Sequence, residues 1–210
     1  MTAGTARTSL TLSNGRSFDL LAPAPERIDL RSIAEHLSKL NRYCGATPGL
    51  CYSVAEHSVR CADLAFALTD NRDLAAYCLC HDMHEAFLGD DTTPKKEALS
   101  RIMQSFGVLA QEVERAFAEL TDRIDAAIHA AAGLPWPADV SMAMAVKYYD
   151  RRMLATEWRD LMRAPEPYRS SRPAYGSAPQ GDRGRAPRGG PSRGGRAAGT
   201  VRVYVGAGRA

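Results

Sequence analysis

From Asp29 to Met162 large apolar side chains recur every third or fourth residue, and stretches bearing Pro or Gly interrupt them. That period becomes a continuous stripe only on an α-helix, so this region is predicted to be all-α, a bundle of helices. In "DLRSIAEHLSKLNRY" the stripe is Ile33, Leu37 and Leu40, with Asp29 as the expected cap. The loop "CGATPGLCYS" follows, and Ser53 caps "VAEHSVRCADLAFALT", whose Val54, Cys61, Leu64 and Leu68 share a face. A third helix is expected over "RDLAAYCLCHDMHEAFLG", ending at Gly89. The loop "DDTTPKK" opens another helix, and a long amphipathic one follows with Val113, Phe117, Leu120, Ile124 and Ile128 inward. "LPWP" breaks it, and a final helix runs from about Ala138 to Met162.

The flanks differ. "SLTLSNGRSFDL" alternates apolar and polar residues around Asn14-Gly15, which predicts a short β-hairpin, and a Pro-pinned connection follows. From Arg163 to Ala210 there are ten arginines against two acids, while the rest of the chain holds 17 basic and 22 acidic residues. That last segment is Gly, Pro, Ser, Ala and Arg with few large apolar groups, so disorder is expected, with "TVRVYV" as one isolated strand. The chain thus divides into 1–28, a hairpin and connection; 29–162, the helical domain; and 163–210, a basic tail. Five cysteines without zinc-ribbon spacing read as reduced thiols of a cytoplasmic protein. No stretch approaches the roughly 18 apolar residues of a membrane span, so no membrane partner is expected.

"HDMHEAFLGDD" (81–91) sets titratable groups where the helical pattern asks for apolar ones. On the third helix His81, Asp82 and Glu85 share a face with Leu74, Cys78 and Leu88. On the second, His57 lies between Val54 and Cys61, and on the last Asp150 lies in the row of Ala143, Val146, Leu154 and Leu161. Buried carboxylates persist only when paired or bound to a cation. Two His with two Asp form a mixed nitrogen and oxygen set, suited to a divalent cation: Mn, Co, Fe, Zn or Mg. His84 points away from that face, toward solvent or a supporting hydrogen bond, and His36 and His129 read as surface residues.

The ordered set H…HD…D, carried by His57, His81-Asp82 and Asp150, resembles the all-helical HD-domain metal-dependent phosphohydrolases. "YSVAEHS" followed by "HDMHEAFLGDDTTPKK" resembles more closely the bacterial 5′-deoxynucleotidase branch and phage relatives that hydrolyse deoxynucleoside triphosphates. The likeness spans about residues 16 to 162. It implies an HD-type fold with His57, His81, Asp82 and Asp150 as metal ligands. Glu85 would position or deprotonate the attacking water, and Asp90 would assist proton transfer or hold substrate. Arg42 and Lys96 would bind phosphate. The aromatic residue after that arginine, which in the bacterial nucleotidases helps reject a ribose 2′-OH, is Tyr43 here.

The implied function is hydrolysis of a nucleotide phosphate ester, that of a deoxynucleoside mono- or triphosphate, by a chain that self-associates as HD relatives often do. Two alternatives stand beside it. One is a hydrolase of signalling nucleotides, although the acidic motif expected after the HD pair in that family is not evident. The other is a nucleotide-sensing protein that touches nucleic acid weakly through the Arg-Gly repeats of "PRGGPSRGGR".

Overall fold

A computed structural model describes residues 8–49 and 51–162. The expected disorder from Arg163 onward and the strand-like "TVRVYV" lie outside these residues. The hairpin is present: β1 (Ser9–Thr11) pairs antiparallel with β2 (Ser17–Asp19), with Leu10 opposite Phe18. Its turn is wider than a two-residue loop, closing through Leu12 N–H to the Arg16 carbonyl at 2.9 Å, and Gly15 supplies the positive φ of 77°.

The remaining elements are helical: α1 (Leu30–Lys39), α2 (Val54–Thr69), α3 (Arg72–Cys80), α4 (Glu85–Leu88), α5 (Thr93–Ser105), α6 (Ala110–Ala132) and α7 (Val140–Asp160). Both expected caps, Asp29 and Ser53, are present, and Asn71 and Asp139 cap two further helices. Asp29 accepts from Arg31 N–H, Ser53 from Glu56 N–H, Asn71 from Leu74 N–H and Asp139 from Met142 N–H. Each satisfies an orphan donor of a first helical turn, a contribution of about 1 kcal/mol. None of these helices is long and apolar enough to cross a membrane.

The expected third helix is not continuous. It stops at Cys80, passes through a turn at His81–His84, and resumes as α4. Through the turn the backbone bonds tighten to three-residue spacing, Met83 N–H to Cys80 O and Glu85 N–H to Asp82 O. Two cores pull on this segment. Cys80, Met83 and Phe87 join the hairpin and α6, with the Phe18 and Phe87 rings stacked at 4.0 Å. Leu74 and Cys78 instead pack with α2 and α7 against Cys61, Leu64, Tyr149 and Met153. His81, Asp82 and Glu85 sit half-buried where the two cores meet.

Candidate metal centre

The loop between α1 and α2 is pinched at its neck by an Asn41–Ser53 bridge, with Arg42 N–H to Tyr52 O and Val54 N–H to Leu40 O, both 2.9 Å. The pinch sets Arg42 beside the first turn of α2, which carries His57. Inside the loop Tyr43 and Cys44 adopt left-handed φ values of 57° and 53°. Such conformations cost about 1–3 kcal/mol each and persist only where surroundings enforce them. Here the Tyr43 ring meets Trp158 edge-on at 6.2 Å and its hydroxyl donates to Glu157.

Four donors converge from three helical segments. His57 Nε2 lies 3.3 Å from His81 Nε2, 3.3 Å from Asp150 Oδ1 and 3.6 Å from Asp82 Oδ2. His81 Nε2 lies 3.2 Å from Asp82 Oδ2 and 3.7 Å from Asp150 Oδ1. Bonds of about 2.0–2.2 Å to one ion set tetrahedral donors about 3.3–3.6 Å apart and octahedral neighbours about 2.8–3.1 Å apart. The five separations run from 3.2 to 3.7 Å, close to the tetrahedral range.

Tautomers agree with this. His81 Nδ1 is held by the Cys78 carbonyl at 2.7 Å, and His57 Nδ1 by Glu157 Oε1 at 2.5 Å. Each Nδ1 is therefore the donor, which turns both Nε2 lone pairs inward, as in the carboxylate–histidine pairs that orient metal ligands. The donor set fits a divalent cation.

Charge at the site follows from the same contacts. Burial alone would lower the His57 and His81 pKa values, but Asp150 and Glu157 at His57, and Asp82 and Asp150 at His81, outweigh it and raise both. Burial would raise Asp82 and Asp150, yet the imidazoles hold both below the usual carboxylate range.

Glu85 is the exception. One of its oxygens, Oε2, is buried without a hydrogen-bond partner among the described residues. Burial first, then the charges of Asp82 and Asp90, push its carboxyl up to about 9. In the cation-free chain the unfolded state ionises Glu85 near 4.5 while the folded state keeps the proton to about 9, so stability falls as pH rises through that window. Glu85→Gln cannot ionise, and its stability advantage over the parent is expected to widen from about pH 5 to about pH 9 in denaturant titrations with chelator. A difference that stays constant over that range would show that the folded carboxyl gives up its proton at an ordinary pH.

The other residues expected at the site fall around these donors. Asp90 follows Gly89, whose φ of 87° ends α4, and burial and Asp82 raise its pKa against the pull of Arg42 and Lys96. Lys96 is exposed in the first turn of α5. Arg42 bridges two carboxylates, donating from Nε to Glu157 Oε2 at 3.2 Å and from Nη1 to Asp82 Oδ2 at 3.3 Å. Tyr43, expected against a sugar, donates its hydroxyl to Glu157 at 2.5 Å.

Sequence reasoning missed Glu157. It is 2% exposed and also accepts from the Tyr52 hydroxyl at 3.0 Å, so one carboxylate gathers His57, Arg42, Tyr43 and Tyr52. His57 and Arg42 hold its pKa down against burial. The signal was present, since Glu157 lies in the inward row of α7 between Leu154 and Leu161. His129 is a correction: it is 2% exposed rather than on the surface, its Nδ1 held by the Asp125 carbonyl at 2.8 Å under the ring of Trp136. His84 makes a supporting bond, 3.1 Å from Asp125 Oδ1.

No family model matches the chain. An uncharacterized protein of Rhodobacter capsulatus is 36% identical over 143 residues, covering 65% of this chain and 64% of that protein. The uncharacterized protein YfdR of Escherichia coli is 34% identical over 134 residues, covering 64% of this chain and 61% of that protein. The chain therefore spans less than two thirds of the length of these curated relatives.

Proposed function

We propose that the chain is a metal-dependent phosphohydrolase of the HD type acting on nucleotides, with deoxynucleoside mono- or triphosphates as its substrates. One observation carries the reading: the Nε2 atoms of His57 and His81 lie 3.3 Å apart, and each lies 3.2–3.7 Å from a carboxylate oxygen of Asp82 and of Asp150, in the order H…HD…D. A divalent cation held there supplies Lewis-acid activation of water and of a phosphoryl oxygen. The protein's own groups do the rest. Arg42, between Asp82 and Glu157, sets a positive charge beside the donors, and Lys96 adds a second toward Asp90. Glu85, whose carboxyl burial, Asp82 and Asp90 push upward, stands beside Asp82 as the group to exchange a proton with the reacting water. In hydrolysis the water oxygen joins phosphorus, the ester oxygen departs, and one proton passes from the water side to the leaving oxygen. Glu85 and Asp90 are the groups assigned to that transfer.

The same reading places the protein in the cytoplasm, supported by five cysteines that are all free thiols. The test is product analysis after metal stripping and reloading with Mn, Co, Fe, Zn or Mg, with each deoxynucleoside mono- and triphosphate supplied in turn. Release of inorganic phosphate from monophosphates, or of triphosphate from triphosphates, only with added cation is the expected result. Absence of turnover with every metal and nucleotide would remove the hydrolase reading.

A further inference from the structure

We propose that the substrate's leaving group carries a planar aromatic base, held in the cleft between α3, the end of α6 and the start of α7, with Trp136 as its stacking partner. This rests on the hydrolase reading, which sets the phosphate at the donors. The cleft is about 590 Å³, within the roughly 300–1,000 Å³ of small-molecule pockets. His81 and Asp150 form part of its lining, so an occupant abuts the metal donors directly.

Part of the lining is a row of rings. Trp136 lies 4.3 Å from His129, and His129 lies 5.5 Å from Tyr77. The row is fastened at both ends. Trp136 Nε1 donates to Asp122 at 3.0 Å, and the Tyr77 hydroxyl donates to the Pro135 carbonyl at 2.6 Å. Preset aromatic rings in a cleft reward a flat π-face, and stacking is worth the same kind of energy for every base. Polar groups for the base edge are there too, the His84–Asp125 pair and Lys147, one turn before Asp150 on α7. Arg42 and Tyr43 do not line this cleft and are bonded to Glu157, which leaves base recognition to the Trp136 wall.

The test compares 2′-deoxyadenosine 5′-monophosphate with 2-deoxyribose 5-phosphate, which keeps sugar and phosphate but lacks the base. Trp136→Ala is expected to raise KM about tenfold for the nucleotide and to leave the sugar phosphate unchanged, which also certifies the variant's fold. Trp136→Phe keeps a stacking ring and recovers most of the loss. Independently of turnover, deoxyadenosine alone should change the intrinsic fluorescence of the metal-loaded parent chain saturably, and this response should vanish in Trp136→Ala. Equal KM for both substrates in parent and variant, with no fluorescence response to deoxyadenosine, would overturn the base cleft while leaving hydrolysis intact. A fluorescence response without hydrolysis of either compound, or of any deoxynucleoside mono- or triphosphate with any of the metals, would uphold the cleft as a base-binding site and end the hydrolase reading instead.

Discussion

Asp82→Ala is expected to lose the cation and the hydrolytic activity together while keeping its helix content. Asp82 Oδ2 is the donor 3.2 Å from His81 and 3.6 Å from His57, and it also accepts from Arg42. Four-donor protein sites bind zinc with about 10–16 kcal/mol, so one donor is worth about 3 kcal/mol, or roughly 100-fold in affinity. Arg42 keeps Glu157 as a partner in the variant, so no buried cation is stranded. Isothermal titration with the activating metal, beside circular dichroism, measures both halves. Parent-like affinity together with parent-like turnover would sink the ligand assignment.

Glu157→Ala is expected to be the most destabilising single change in the site, by about 3–5 kcal/mol. It strands the His57 Nδ1–H, two tyrosine hydroxyls and the Nε–H of Arg42, all of which now share one carboxylate. Set against a typical total of about 5–15 kcal/mol, that loss moves the urea midpoint far. Glu157→Gln keeps the volume and one acceptor but turns an N–H₂ toward donors. Its fold should survive better while metal affinity drops about 10- to 100-fold, the usual consequence of losing a ligand's supporting carboxylate. If Glu157→Ala unfolded at the parent's midpoint, the Tyr43–Tyr52–Glu157 contacts would be incidental to stability.

Local rules made much of this legible. Asp29 and Ser53 cap where their side chains and the following stripes require, and Asn14-Gly15 marks the hairpin's turn. The four donors were readable because titratable groups on apolar faces are expensive, and three helical segments each carried at least one. What escaped depended on distant neighbours. Glu157 shares the inward row of α7, yet a lone acid in a row gives no sign of which partners it will meet. Its partners Tyr43 and Tyr52 come from a loop whose path is set by the Asn41–Ser53 bridge, a contact no local pattern encodes. Asp125 and His129 follow Ile124 and Ile128 by one residue, at the margin of the α6 stripe. They become interior only because the segment carrying Trp136 folds back over them. The break after Cys80 escaped for a related reason: His81–His84 are compatible with a continuous helix, and it is the competition between two cores that divides them.

The donors' order along the chain has a consequence for synthesis. His57, His81 and Asp82 leave the ribosome within one stretch, but Asp150 and Glu157 follow roughly seventy residues later. At about 5–20 residues per second, the nascent chain spends several seconds with three donors made and the fourth still unmade. During that interval His57 has no carboxylate to fix its ring, so the half-built cluster is a weak chelator open to whichever ion is abundant. Docking of α7 closes the set. On the metal-centre reading, α7, the last of the described helices, would therefore set when the site can take an ion.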